Sequence, residues 1–338
     1  MTDLKTILAP PGEKLNESGP RSVLITFTGA LAIVLLINSY VWGALNVEPR
    51  NRGYEVVVHK WNLAEQAIEP ADWLFVGDSS CNQSVIPTVI EEVTGQTALN
   101  LCTIGSATVA DDAWILDFYM ETVGAPGAVV MIHTWDTWQR ENDRLIQMLW
   151  KIPIGSHAWA GRVPEFNLSR GDRVRNAVSG RFPLYSQSVS SLQVFTSDPP
   201  VIHFEADGFM PMEANVARAN GDFDVHMALI REANFYCSEW STSGIDALVA
   251  LTEQAGLTLH LVMPPVLDRL IDDPEFSAWF DGYRRFLGGY AEAHPHVVFT
   301  EPEPLRTPVE NLEKADHVSA QGAAVYSAHV GNLLRAAE

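Results

Sequence analysis

Apolar positions along the chain fall into two patterns. The first is a single uncharged run over residues 22–45, SVLITFTGALAIVLLINSYVWGAL, long enough to cross the hydrocarbon core of a bilayer as a helix. Tyr40 and Trp42 stand toward its far end, where amphipathic rings favour the membrane interface. A signal peptide would have a shorter apolar core followed by a small-residue cleavage site, so the run is read as an uncleaved anchor. The second pattern is a series of short apolar runs without polar alternation, at 72–76, 97–101, 128–132, 257–263 and 297–300. Runs of that kind suit strands covered on both faces. Between them lie helical stretches at 87–93, 110–122, 241–255 and 274–293, and a last one closes the chain at 319–337. Strands alternating with helices predict an α/β fold: a three-layer parallel sheet flanked by helices, joined by right-handed crossovers and preceded by one N-terminal transmembrane helix.

Local signals support these boundaries. Pro87 stands at a tolerated first-turn position, a Ser/Thr-rich start suits capping near Ser241, and Gly256 suits termination. Phe276, Trp279, Phe280, Tyr283, Phe286 and Leu287 recur at helical spacing and read as a core stripe. Residues 54–68 read as a short strand or helix leading into the domain. The resulting organisation is an arm at 1–21, the anchor at 22–45, a juxtamembrane connection at 46–71 and a domain at 72–338. An insertion at about 140–236 interrupts that domain, broken by Pro153, Pro164, Pro183, Pro199, Pro200 and Pro211. Its first part, 140–150, is a helical candidate, and the whole is expected to cover or shape a site. Phe182, Tyr185, Phe209, Phe235 and Tyr236 read as local core, and His226 as a structural histidine.

Composition narrows the function classes. A formal net charge of -20, without a basic patch, excludes nucleic acid as a partner. The three cysteines, Cys81, Cys102 and Cys237, lack CxxC spacing, so neither a metal site nor a cofactor is expected. Cys81 and Cys102 each follow a strand. Neighbouring strands would let them approach, so a disulfide is open but not deducible, and buried free thiols are the commoner outcome. Lys5, Lys14 and Arg21 before the apolar run nearly balance Arg50, Arg52 and Lys60 after it. Orientation therefore rests on the habit of single N-terminal spans to act as signal anchors, which places the large domain outside the cytoplasm.

The candidate chemistry sits at strand ends. The first strand stops at Gly77-Asp78-Ser79, and Asp316-His317 stands just before the last helix. On a parallel sheet, a serine and a histidine so placed can meet at the carboxyl edge as nucleophile and base. This block order resembles the SGNH, or GDSL-type, hydrolase superfamily: Gly77-Asp78-Ser79 at the front, Gly105 after the second strand, Asp316-His317 with Gly322-Ala323 at the back. The resemblance implies Ser79 as nucleophile, His317 as base, and the amides of Ser79 and Gly105 as oxyanion donors. Two positions depart from the family's pattern. Where its third strand ends in GxND, this chain has His133, Thr134, Trp135 and Asp136, leaving the Trp135 indole as the substitute donor. Where it has an acid three residues before the histidine, this chain has Lys314. Asp316 is then the orienting acid, although adjacent side chains diverge on helices and strands. Glu313 is the fallback, and a Ser-His dyad held by a backbone carbonyl is the alternative.

One span followed by such a domain is also similar to accessory proteins of cell-surface O-acylation, which serve alginate O-acetylation or teichoic-acid D-alanylation. That likeness implies a membrane-anchored serine esterase or O-acyltransferase acting on an acylated cell-surface glycan or similar acceptor, beside a multi-span membrane-bound O-acyltransferase as partner. The alternative is a catalytically silent module of the same fold that binds glycan or scaffolds a membrane complex.

Overall fold

The computed structural model describes residues 20–47, 52–105, 108–140, 171, 202–232, 234–301 and 303–337. All but the last two residues of the arm expected at 1–21, all but the first residue of the helix expected over 140–150, and Phe182 and Tyr185 lie outside them. The first apolar run is the helix α1 (Pro20–Val47), within which Val23–Tyr40 is long and apolar enough to cross a membrane. Residues 54–68 resolve in favour of a helix, α2 (Arg52–Gln66), which buries Val57, Trp61 and Ala64 along one stripe.

Five parallel strands form the sheet: β1 (Trp73–Gly77), β2 (Ala98–Asn100), β3 (Ala128–Ile132), β4 (Thr258–Val262) and, at its far edge, β6 (Val297–Glu301). Their order is β2-β1-β3-β4-β6. Every residue of β1 and β3 is buried, which accounts for their unbroken apolar sequences. Leu74, Val76, Val129, Met131, Leu259 and Leu261 share one apolar cluster with residues of α2 and α5 (Thr108–Thr122). Four later helices join it: α6 (Val216–Glu232), α7 (Glu239–Ala255), the short α8 (Asp268–Asp272) through Leu270, and α9 (Pro274–Ala293). Trp73, Phe75, Val130 and Ile132 face the other way. They meet α3 (Ser79–Ser84), α4 (Pro87–Thr94) and the closing α10 (Ala320–Ala337). The three-layer α/β arrangement is therefore present. Helix ends follow the expected caps: Ser238 accepts from Ser241 N, and Gly256 ends α7 at φ 69°.

Four short strands and one helix escaped the sequence pattern. A parallel pair joins β5 (Val266–Leu267) to β7 (Arg306–Thr307), and an antiparallel hairpin joins β8 (Leu312–Lys314) to β9 (His317–Val318). The helix α6 lies inside the expected insertion. Just before it, Asn215 N donates to Leu312 O at 2.8 Å and Met212 O accepts from Ala320 N at 2.7 Å, so this part of the insertion docks on the β8–β9 hairpin. The expectation of free thiols fails for two of the cysteines. Because β1 and β2 are direct neighbours, Cys81 and Cys102 meet just beyond them and form a disulfide, while Cys237 stays free.

Candidate active site

The chain order puts β2 on one side of β1 and β3 on the other, so a crevice opens at the carboxyl end of β1 where the winding reverses. Ser79 is the first residue of α3, immediately past that point. Gly77 makes the turn with φ 149°, and a β-carbon there would lie 2.0 Å from Ile132 O, so only glycine lets β1 pass β3 this closely. Asp78 then caps the helix, its Oδ1 accepting from Ser80 N at 2.9 Å.

The distant blocks converge. Ser79 Oγ lies 2.7 Å from His317 Nε2, and His317 Nδ1 lies 2.6 Å from Asp316 Oδ1. His317 and Asp316 are 3% and 4% exposed, whereas Ser79 stays partly open. Adjacency of Asp316 and His317 in sequence was expected to separate their side chains. That expectation fails because Ala315 and Asp316 form the turn between β8 and β9, and a turn residue is not bound by strand alternation. Glu313 is engaged by Arg218 instead, and Lys314 Nζ lies 3.4 Å from Asp316 Oδ1. The fallback acid and the dyad are thus displaced by a contiguous Ser-His-Asp arrangement. Burial alone would raise the Asp316 carboxyl, but His317, Lys314 and His226 outweigh it and hold the acid well below its usual range.

Other expected residues land differently. Gly105 follows β2, in a loop tied to β1 by Thr103 N donating to Gly77 O at 2.8 Å. Trp135 is fully buried against Phe276, Phe280 and His226, and its indole nitrogen has no hydrogen-bond partner among the described residues. The substitute donor expected of Trp135 is therefore turned into the aromatic core. His226, expected as a lone structural histidine, lies 3.4 Å from Asp222 and 4.0 Å from Asp316. Asp222, His226 and Asp316 bring ligand-type atoms within 4.8 Å of one another, with Lys314 already supplying a cation to Asp316.

Sequence reasoning missed the polar scaffold beneath Ser79. Asp78 Oδ2 accepts from Thr134 N at 2.8 Å and from Thr137 Oγ1 at 2.7 Å, and lies 3.6 Å from His133 Nδ1. His133 Nε2 lies 2.5 Å from Asp112, and Asp111 accepts from Thr103 at 2.8 Å. Desolvation disfavours the imidazolium, but Asp112 and Asp78 overcome it and push His133 up to about 10. Burial raises Asp111 to about 7, against the Thr103 hydrogen bond. The available signal was the polar cluster at the end of β3, His133-Thr134-Trp135-Asp136-Thr137, which no core strand requires. Comparison with known protein families and with curated proteins returns no match to this chain.

Proposed function

We propose that the protein is a serine esterase or O-acyltransferase working through an acyl-enzyme on Ser79, of the SGNH type. The observation that carries this reading is the unbroken Ser79–His317–Asp316 hydrogen-bonded chain, with spacings of 2.7 and 2.6 Å, at the carboxyl edge of a parallel sheet. Ser79 Oγ attacks the acyl carbonyl while its proton passes to His317 Nε2, and Asp316 stabilises the imidazolium. The tetrahedral intermediate collapses, expelling the alcohol, which takes the proton back from His317. Water or a sugar hydroxyl then attacks the acyl-serine, His317 receives its proton, and Ser79 is regenerated. In this reading the amides of Ser79 and Gly105 hold the oxyanion.

The same reading takes α1 as a single-pass anchor and the domain as extracytoplasmic. The Cys81–Cys102 disulfide favours an oxidising compartment, and an acylated glycan with a multi-span membrane-bound O-acyltransferase as donor partner fits that setting. The test uses the full chain in detergent. Wild type should hydrolyse p-nitrophenyl acetate and take a fluorophosphonate probe on Ser79, and Ser79→Ala should lose both. Equal turnover by Ser79→Ala, or wild type that neither turns over nor labels, overturns the assignment.

A further inference from the structure

Acyl transfer needs donors for the oxygen that becomes negative, and removing one such donor typically costs about 10²–10³ in kcat. The position that should supply a side-chain donor is Trp135, whose indole is buried away from the crevice. Five residues further on, Arg140 lies against Gly105, in the loop after β2. Its Nη2 donates to Asp136 Oδ2 at 2.7 Å. Asp136 Oδ1 in turn lies 2.8 Å from Thr134 Oγ1, which is 2.7 Å from Asp78 Oδ2, so the guanidinium is tied back to the residue preceding Ser79. Nη1 is turned onto Gly105: a β-carbon there would lie 2.6 Å from Nη1 and 3.1 Å from Cζ. Glycine at 105 thus leaves room for this cation where it stands. Nη1 has no acceptor among the described residues, and the side chain retains 20% exposure. Besides Asp136, the charges that favour the guanidinium here are those of Asp78 and Asp316, which flank Ser79 and His317 in sequence.

We propose that Arg140 is the side-chain oxyanion donor of this site, with Nη1 beside Gly105 binding the developing oxyanion while Nη2 stays on Asp136. The inference rests on the acyl-enzyme reading above. As the Ser79 Oγ–C bond forms, the carbonyl π pair moves onto oxygen and the serine proton goes to His317. Arg140 exchanges no proton and only balances the new charge. A guanidinium suits this task because its planar fork serves two oxygens at once and stays charged, and because its anchor through Asp136 makes reorganisation unnecessary.

The test measures p-nitrophenyl acetate hydrolysis by the full chain in detergent. Arg140→Met should lower kcat about 100-fold with KM changed less than about threefold, and methylguanidinium in the buffer should restore part of the loss. Arg140→Lys, which offers a point charge that cannot span Asp136 and the oxyanion together, should fall about 10-fold and serves as the deciding variant if Arg140→Met does not fold. Unchanged kcat in Arg140→Lys, or a loss in Arg140→Met that methylguanidinium does not relieve, overturns the assignment and leaves the Ser79 reading standing. Wild type with neither turnover nor Ser79 labelling overturns both.

Discussion

At the scale of single residues, the sharpest feature is that Asp316 orients its own sequence neighbour. Its carboxylate receives His317 Nδ1 at 2.6 Å, which leaves Nε2 to take the proton of Ser79. Asp316→Asn would place an amide there, and an amide that donates to Nδ1 forces the tautomer whose Nε2 carries hydrogen and cannot accept from Ser79. A fall of about 10³–10⁴ in kcat for ester hydrolysis is expected. Glu313→Gln, which touches only the Arg218 pair, should leave kcat within about twofold. Equal losses in the two variants would move the orienting role to Glu313. Because the Asp316 carboxyl is held far below its usual range by His317, Lys314 and His226, it remains ionised at any pH where an esterase is assayed. Ser79 and His317 were legible because each stands at a strand or helix boundary that apolar runs define. The Asp316 geometry was not legible, because periodicity describes helices and strands and says nothing of a two-residue turn.

At the scale of elements, the hairpin β8–β9 carries two of the three site residues on only a few strand residues, so something else must hold it. The holding element is α6, whose Asp222 Oδ2 accepts from Ala315 N at 3.2 Å, directly in the turn. Ala315 is fully buried while the Asp222 side chain is 24% exposed, so Asp222→Ala removes the protein acceptor of this donor and lets water reach it, at a cost of about 1 kcal/mol. Denaturant unfolding of the detergent-solubilised chain should show that loss, kcat should fall about 10-fold as the turn loosens, and Asp222→Asn should recover most of both. A stability loss without any change in kcat would separate α6 from the site. The sequence signal for α6 existed: Ala219, Phe223, Met227 and Ile230 recur at helical spacing and are all buried. It was masked by Gly221, Asp222 and Asp224 between them and by the proline-rich stretch before it. By contrast β1, β3 and α9 lie where the pattern put them, since burial on both sheet faces and a continuous aromatic stripe leave little else for those residues to do.

At the scale of the whole molecule, the buried charges under Ser79 contribute to how stability depends on pH. His133 has its folded pKa raised from 6.5 to about 10, so the stability it contributes is fully present below about 6.5 and is lost as pH rises through about 10. Asp111 is a carboxyl raised from 3.8 to about 7. Between those values the folded state holds a proton that the unfolded chain has released, so stability falls as pH climbs from about 4 to about 7 and then levels. Asp78 and Asp316 are depressed, so their contribution is present above about 4 and is lost only in stronger acid. Asp111, Asp112 and His133 are raised and act in the same direction, whereas buried Lys60, whose pKa burial lowers, gains stability as pH rises and acts against them. The contribution of Asp111 is therefore read from the difference between the thermal unfolding midpoints of wild type and Asp111→Asn, in which the other titrating groups cancel. Asp111→Asn keeps an acceptor for Thr103 and removes the group that titrates in the lower window, so its midpoint should match wild type near pH 4, exceed it at pH 7–8, and the gap between the two should widen from pH 5 to 7 and then level. A slope in Asp111→Asn identical to wild type would assign the dependence to the general self-repulsion of a chain with net charge -20 rather than to this buried network.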